Sequence, residues 1–523
     1  MAFALKLPIF EGIPLRGRGF LYTALCFAAG AISSLSMAPA NQWVLLFAGL
    51  SIFYFILAQI QSKKMAFFSG WFFAFGYFLF SLSWIGNALL VENNPYAWAW
   101  PLAVAGLPFV LAFFPALACL MAWRFSDLRS ASGYFSFSAF FILFEWLRGH
   151  VFSGFPWNLY GYTWADILPV VQFVSIGNIY ILTWLTILWG MLPGFLLVSQ
   201  ANRKQKILLA GLLILIFAAC FFYGAWRLKH YVPEYHQNIR IKIIQPNIPQ
   251  EAKWNRDKMA ENFFKHIRLS YPHDDSNATT YIVWPETALS YWYTQDKTAM
   301  GVLSQALQSY GGQTYLMTGL LRHTAETGAY FNSLVMIDRT GQIDNIYDKH
   351  HLVPFGEYIP LQKWIPLKPV AQFTGFIKGD RPGNLTTKEG LRYSPLICYE
   401  AIFPGAVIDR QDARPDFMVN VTNDGWYGDS AGPHQHYTNA LFRAVEEGIP
   451  LIRSANTGFS ALIDPMGRAL YKSELLSESA KTVKLPKKIA VFQKSIYFEN
   501  AFLIISVLFI TFLAYSRKNK IAN

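Results

Sequence analysis

The sequence predicts a two-part chain: a polytopic α-helical membrane domain of eight transmembrane helices, joined to a layered α/β domain outside the cytoplasm. Three observations carry that expectation. Apolar residues make up 53% of the 523, and the mean hydropathy is positive, unlike the usual water-soluble composition. Runs long enough to cross ~30 Å of hydrocarbon recur through the amino-terminal part and return near the carboxyl end. Between them, residues 227–495 change character, with short β-rich runs set among polar or helical stretches.

The apolar spans fall at 19–38, 43–60, 66–86, 101–123, 134–150, 170–199 and 206–226, with the eighth at 496–515. The first has Arg16 and Arg18 ahead of its apolar core, as a secretory leader does, but six more spans follow it, so it reads as a retained anchor. The stretch at 170–199 is too short for two crossings of about 20 residues each and counts once. Basic residues then sort the loops. Lys6, Arg16 and Arg18 precede the first span; Lys63 and Lys64 follow the second, Arg124 and Arg129 the fourth, Arg203, Lys204 and Lys206 the sixth, and Arg517, Lys518 and Lys520 the eighth. Residues 87–100, NALLVENNPYAWAW, contain neither Lys nor Arg. Because basic loops stay cytoplasmic, both termini are expected in the cytoplasm and the long segment in the periplasm, with the chain in a bacterial inner membrane. The expected domains are 1–226 (spans one to seven), 227–495, and 496–523 (the eighth span and a cytoplasmic tail). The net charge of +12, from 44 basic and 32 acidic residues, fits such loops beside anionic lipid. No Lys/Arg-rich tract with interleaved aromatics points to nucleic acid.

Within 227–495 the strand-like runs are IRIKIIQPN (239–247), TYIVWPE (280–286), TYLMTGLL (314–321), FNSLVMID (331–338), YSPLICYE (393–400), FMVNVTND (417–424) and FSALIDP (459–465). PHQHYTNALFRAVEEG (433–448) reads as a helix, and strands alternating with helices predict α/β layers.

Of four cysteines, Cys26, Cys119 and Cys220 lie in apolar spans, where a thiol is a small hydrophobe; Cys398 alone ends a strand, just before Tyr399 and Glu400. A cysteine attacking a carbonyl needs a base for its proton and a cation or N–H donors for the oxyanion. Glu286 in VWPET, Lys349 and Glu357 in YDKHHLVPFGEY, and Cys398 are the right residue types. Each taken singly also has a structural reading: a buried strand cysteine, a strand end with a proline turn, a solvated Asp–Lys pair, a turn glutamate. The histidines at 350, 351, 434 and 436 lack a Cys or carboxylate partner at ligand spacing, so neither a metal nor a cofactor is expected. Glu145 and Arg148, near the outer end of the fifth span, read as a structural or headgroup-binding pair, since charges there are costly unless paired.

The joint order of these groups carries more. Glu in WPE, Lys in DK and Cys in CYE resemble the Glu-Lys-Cys triad of the nitrilase, or carbon–nitrogen hydrolase, superfamily, whose fold is an αββα sandwich. QPNIPQEAKW (245–254), HLVPFGEYIP (351–360), TNDGWYG (422–428) and NTGFSALIDPMG (456–467) extend the match. With FEWLRG (144–149) and FPWNLYGY (155–162), nearly the whole chain resembles the apolipoprotein N-acyltransferase family. The resemblance implies an acyl group taken from a phospholipid as a Cys398 thioester and passed to the amino group of a diacylglyceryl apolipoprotein. It implies Glu286 as general base, Lys349 and the Tyr399 N–H as oxyanion donors, and Glu357 and Glu400 as supporting carboxylates that position Lys349. Trp254 would line the acyl pocket, with Asn332 hydrogen-bonding near it. The aromatic- and proline-rich stretches 288–294 and 359–376 would shield the thioester from water. A membrane-tethered amidase uses the same triad but has no need of eight helices; a transporter would place polar or charged residues through several spans, and these hold few beyond Glu145.

Overall fold

The computed structural model describes residues 15–91, 94–253, 255–271, 277–290, 295–324, 328–360, 362, 375–380 and 383–491. The expected eighth span, Trp254, residues 291–294 of the stretch 288–294, and most of 359–376 lie outside the described residues. The chain divides into two compact units; residues 87–100 cluster with 230–491, the rest of the described chain up to Lys229 with the helical unit.

The helical unit runs α1 (Leu15–Ser34), α2 (Trp43–Leu57), α3 (Lys63–Ser81), α4 (Trp100–Leu111), α5 (Phe113–Phe125), α6 (Ala131–His150), α7 (Leu168–Val171), α8 (Ile179–Val198) and α9 (Arg203–His230). Three of the expected spans are not single straight helices. α3 turns by 52° into a 3-10 helix, Ser83–Leu89. The run at 101–123 is divided between α4 and α5, where Pro108 and Pro115 each remove a backbone donor. In the run at 170–199, α8 starts only at Ile179, because extended Asn178 caps it, its Oδ1 accepting from Ile181 N. By length and composition, Ala97–Phe125, Ile179–Val198 and Arg203–His230 can cross a membrane, and the bent pair makes a fourth; the apolar stretches of α1 and α2 are shorter. α1 and α3 pack backbone to backbone. A Cβ on Gly30 would sit 1.9 Å from the Phe73 carbonyl oxygen, and one on Gly76 would sit 2.3 Å from that of Phe27.

The second unit is built on two sheets. The first orders β13 (Ser479–Pro486), β1 (Tyr235–Gln245), β2 (Thr279–Val283), β4 (Thr314–Thr324), β5 (Ala329–Ile337) and β6 (Ile343–Asp348), with β3 (Leu289–Ser290) against β4. The second orders β12 (Ala469–Lys472), β11 (Ala461–Ile463), β10 (Leu451–Ala455), β9 (Phe417–Thr422), β8 (Arg392–Ile397) and β7 (Leu385–Thr386). Their inner faces share one core: Ile241, Ile243, Val283 and Met336 from the first meet Ile397, Val419, Val421 and Ile452 from the second. On the outer face of the first sheet, Ile244, Ile282, Leu316 and Val335 pack under the helices Met259–Ser270 and Lys297–Gln308 through Phe263, Ile267, Leu303 and Leu307. The amphipathic helix Ala431–Glu447 covers the second sheet and packs on the turn after β8. Helix, sheet, sheet, helix is the sandwich expected. The middle of each sheet is parallel: β1, β2 and β4 in one, β8, β9 and β10 in the other. Residues just past the carboxyl ends of parallel strands gather in a crevice where α/β folds hold ligands.

Candidate active site

Cys398 follows β8 directly and sits in a left-handed backbone conformation, φ 51°, at the start of a 3-10 turn, Cys398–Ile402. A non-glycine residue there is strained, and such turns present a side chain at the top of a sheet. The turn is braced by Glu400, whose Oε2 accepts from Ile397 N at 2.8 Å. Glu400 Oε1 accepts from Tyr347 Oη (2.8 Å) and from the backbone N–H groups of His350 (2.8 Å) and His351 (3.0 Å). Glu400 therefore ties the cysteine turn to the loop beginning at Lys349; it positions the lysine through its neighbours' backbone. The Tyr399 ring lies against Phe403 and His351.

Lys349 is the first residue past β6 and is buried. Its Nζ donates to Glu357 Oε1 at 2.9 Å and stands 3.7 Å from Glu286 Oε1. Burial alone would push this ammonium down; Glu357, Glu286 and Cys398 outweigh it and hold it above its ordinary value. Glu286 enters on the Trp-Pro-Glu step past β2, its Oε2 accepting from Asn423 N at 2.8 Å. Asn332 on β5 donates from Nδ2 to both Glu286 Oε1 (2.8 Å) and Glu357 Oε1 (2.9 Å). It thus bridges the two carboxylates. Glu357 Oε2 accepts from Val353 N at 2.9 Å, so this loop glutamate is held by its turn and also belongs to the charged centre. Two carboxylates flanking one ammonium, each further hydrogen-bonded, is the condition under which buried charges persist.

The Cys398 thiol is pushed up to about 12, first by burial and then by Glu286, with Lys349 opposing. The sulfur is a thiol at neutral pH, so its proton has to leave as it attacks. Such a centre can do acyl chemistry: a nucleophile, a carboxylate to take its proton, and a fixed cation for the charge that develops on oxygen.

The structure adds residues that sequence reasoning missed. Lys253 Nζ donates to the Glu286 carbonyl at 2.7 Å, and burial pushes its ammonium down to about 8 against the pull of Glu286. Behind Cys398 lies a second charged cluster. Asp424, two residues past β9, accepts at Oδ2 from Arg453 Nη2 at 2.8 Å, and its Oδ1 is 2.9 Å from His436 Nδ1. The sequence places His436 in the helix Ala431–Glu447 but does not reveal its partners, which come from just past β9 and from the Cys398 turn. Among the described residues no group of three or more His, Cys, Asp or Glu side chains is placed to hold a metal ion.

Residues 29–192 match the model of the apolipoprotein N-acyltransferase N-terminal domain, and residues 240–487 that of the carbon–nitrogen hydrolases. The apolipoprotein N-acyltransferase of Rhodopseudomonas palustris is 37% identical over 495 residues, covering 90% of this chain and 91% of that one. Its counterpart in Allorhizobium ampelinum is 37% identical over 487 residues, covering 88% and 89%, and that of Bradyrhizobium diazoefficiens 35% identical over 491, covering 90% of each. With both halves matched in order and the similarity running nearly end to end, the chain belongs to the apolipoprotein N-acyltransferase family.

Proposed function

We propose that this chain is an acyltransferase that moves a fatty acyl group from a phospholipid to the free α-amino group of an N-terminal diacylglyceryl-cysteine on an apolipoprotein, through a thioester on Cys398. The observation that carries this reading is the buried Lys349 ammonium, 2.9 Å from Glu357 and 3.7 Å from Glu286, beside a cysteine in a strained turn. The names of the relatives support the acceptor class.

In the first half-reaction Cys398 Sγ attacks the ester carbonyl while Glu286 takes its proton. The oxyanion is held by Lys349 and the Tyr399 N–H. The intermediate collapses to the thioester, and the lysophospholipid alkoxide leaves with the proton from Glu286. In the second half the acceptor amine attacks the thioester, Glu286 accepts a proton from the amine, and the sulfur leaves and is reprotonated. Each half forms one acyl bond and breaks one, in ping-pong order. Asn332 keeps Glu286 and Glu357 in register with Lys349, and Glu400 holds the two loops together. Trp254 lines the acyl pocket in this reading.

Both substrates are lipid-borne, which gives the apolar helices their purpose. The proposed setting is the bacterial inner membrane, with eight crossings, both termini cytoplasmic and 227–495 periplasmic. Purified protein incubated with phospholipid alone should gain one acyl group on Cys398, released by hydroxylamine or by a diacylglyceryl peptide. A protein that hydrolyses small amides and never retains a phospholipid acyl chain would instead be a tethered amidase.

A further inference from the structure

The Asp424–His436–Arg453 cluster lies outside the triad, yet it ends on the nucleophile's own backbone. His436 is fully buried in the helix Ala431–Glu447, and its Nε2 is 3.1 Å from the Cys398 carbonyl oxygen. That oxygen offers only lone pairs, so Nε2 carries the hydrogen and donates. Asn420 Nδ2, from β9, donates to the same oxygen at 3.4 Å. The ring is fixed from behind: Nδ1 lies 2.9 Å from Asp424 Oδ1 and 3.1 Å from Arg453 Nη2. Arg453 in turn donates to Asp424 Oδ2, to Asn420 Oδ1 and to the Phe459 carbonyl, and Thr422 Oγ1 donates to Asp424 Oδ1. Two donors, His436 and Asn420, thus meet on one peptide carbonyl, with the buried Asp424–Arg453 ion pair behind them.

That peptide joins Cys398 to Tyr399. It is planar and trans, so its carbonyl and its N–H point in opposite directions. Whatever fixes the carbonyl fixes the N–H. A carbonyl that accepts hydrogen bonds also polarises its amide and makes the N–H a stronger donor.

Resting on the acyl-transfer reading above, we propose that His436, backed by Asp424 and Arg453, is a positioning residue for the oxyanion site. By holding the Cys398 carbonyl, it aims and polarises the Tyr399 N–H at the oxygen of the tetrahedral intermediate. It touches neither substrate nor the thiol proton.

Two variants and two reactions test this. His436→Asn keeps an amide near Asp424 but is too short to reach Cys398; His436→Gln places its amide nitrogen near the lost Nε2. Acylation of Cys398 by phospholipid passes through an oxyanion, whereas alkylation by iodoacetamide does not. In single-turnover assays His436→Asn should acylate roughly 10²-fold more slowly, the lower end for losing an oxyanion donor. Its alkylation rate should stay within about threefold of wild type, since thiol position and ionisation are little altered, and His436→Gln should recover most of the acylation rate. Acylation by His436→Asn at the wild-type rate would overturn the proposal, and so would equal losses in the two reactions, which would mark a merely structural role. Should His436→Asn not fold, Asn420→Ser, which removes the second donor to that carbonyl, carries the same two-reaction comparison. Wild-type protein run in parallel separates the readings: failure of the wild type itself to form the thioester sinks the acyl-transfer reading and this one with it.

Discussion

At the scale of single residues, the environment of Cys398 makes two expectations that pull apart. Glu286 is at once the proposed proton acceptor and, after burial, the main reason the thiol is hard to ionise. Glu286→Gln should therefore slow acylation by about 10²–10⁴-fold, the usual loss on removing a general base, while speeding alkylation of the same sulfur at fixed pH, because the opposing charge is gone. A stopped assay with phospholipid and one with iodoacetamide read the two; slowing of both would mean that Glu286 acts only by holding the site together. For the same reason, wild-type alkylation should climb about tenfold per pH unit from neutrality to pH 10 without levelling, since the thiol titrates near 12. A plateau below pH 9 would mean a pre-formed thiolate. Asp424 gives the opposite kind of pH dependence. Burial would raise its carboxyl, but Arg453 and His436 hold it well below the ordinary carboxylate range. A depressed carboxyl adds stability that is complete above its unfolded value, about 4, and is lost as pH falls toward the folded one. Thermal melts of Asp424→Asn should accordingly lose less on going from pH 6 to pH 3 than the wild type does.

Among the elements, what could be read from the sequence followed the hydrophobic pattern, and what could not was hidden by polar residues with distant partners. The run at 417–424 is uniformly buried through β9, and PHQHYTNALFRAVEEG forms a helix within two residues of its expected bounds. β10, Leu451–Ala455, has no place among the expected strands, and Arg453 sits in its middle; Asp424, 29 residues earlier, supplies the charge that makes a buried arginine tolerable there, with Asn420 and the Phe459 carbonyl taking further hydrogen bonds. YSPLICYE was expected as strand to Glu400, but the positive φ of Cys398 ends β8 at Ile397. Composition alone does not reveal that turn. In the helical unit, Glu145 and Arg148 do form a pair, Nη2 to Oε2 at 2.6 Å, and Arg148 also donates to the carbonyls of Phe155 and Trp157 and lies over the Phe78 ring. These contacts favour the structural reading over headgroup binding. Arg148→Met should lower unfolding stability in detergent by about 3–5 kcal/mol, because it leaves Glu145 buried without its partner. A melting curve unchanged by that substitution would show that the pair adds nothing.

For the molecule as a whole, the residues of the proposed triad stand out in the sequence because three residue types lie in a fixed order within matching motifs, while their joint geometry needs the fold. Glu286, Lys349 and Cys398 come from the ends of β2, β6 and β8 in two different sheets. Only the face-to-face packing of those sheets, through Val283 and Ile397 among others, explains why groups so far apart in sequence share one centre. The proposed topology makes its own expectation: a cysteine placed at exposed Lys484 should react with a membrane-impermeant maleimide from the periplasmic side, and one at exposed Gln205 only from the cytoplasmic side. Labelling of both from one side would contradict the charge-based assignment. The central claim is that Cys398 carries an acyl chain between two lipid-borne substrates. Its most direct test is the intact mass of the purified protein after incubation with phospholipid of a single acyl composition. The account predicts a gain of one acyl group in the wild type, its loss on adding a diacylglyceryl peptide, and no gain in Cys398→Ala; an unchanged wild-type mass, or an equal gain in the alanine variant, would contradict it.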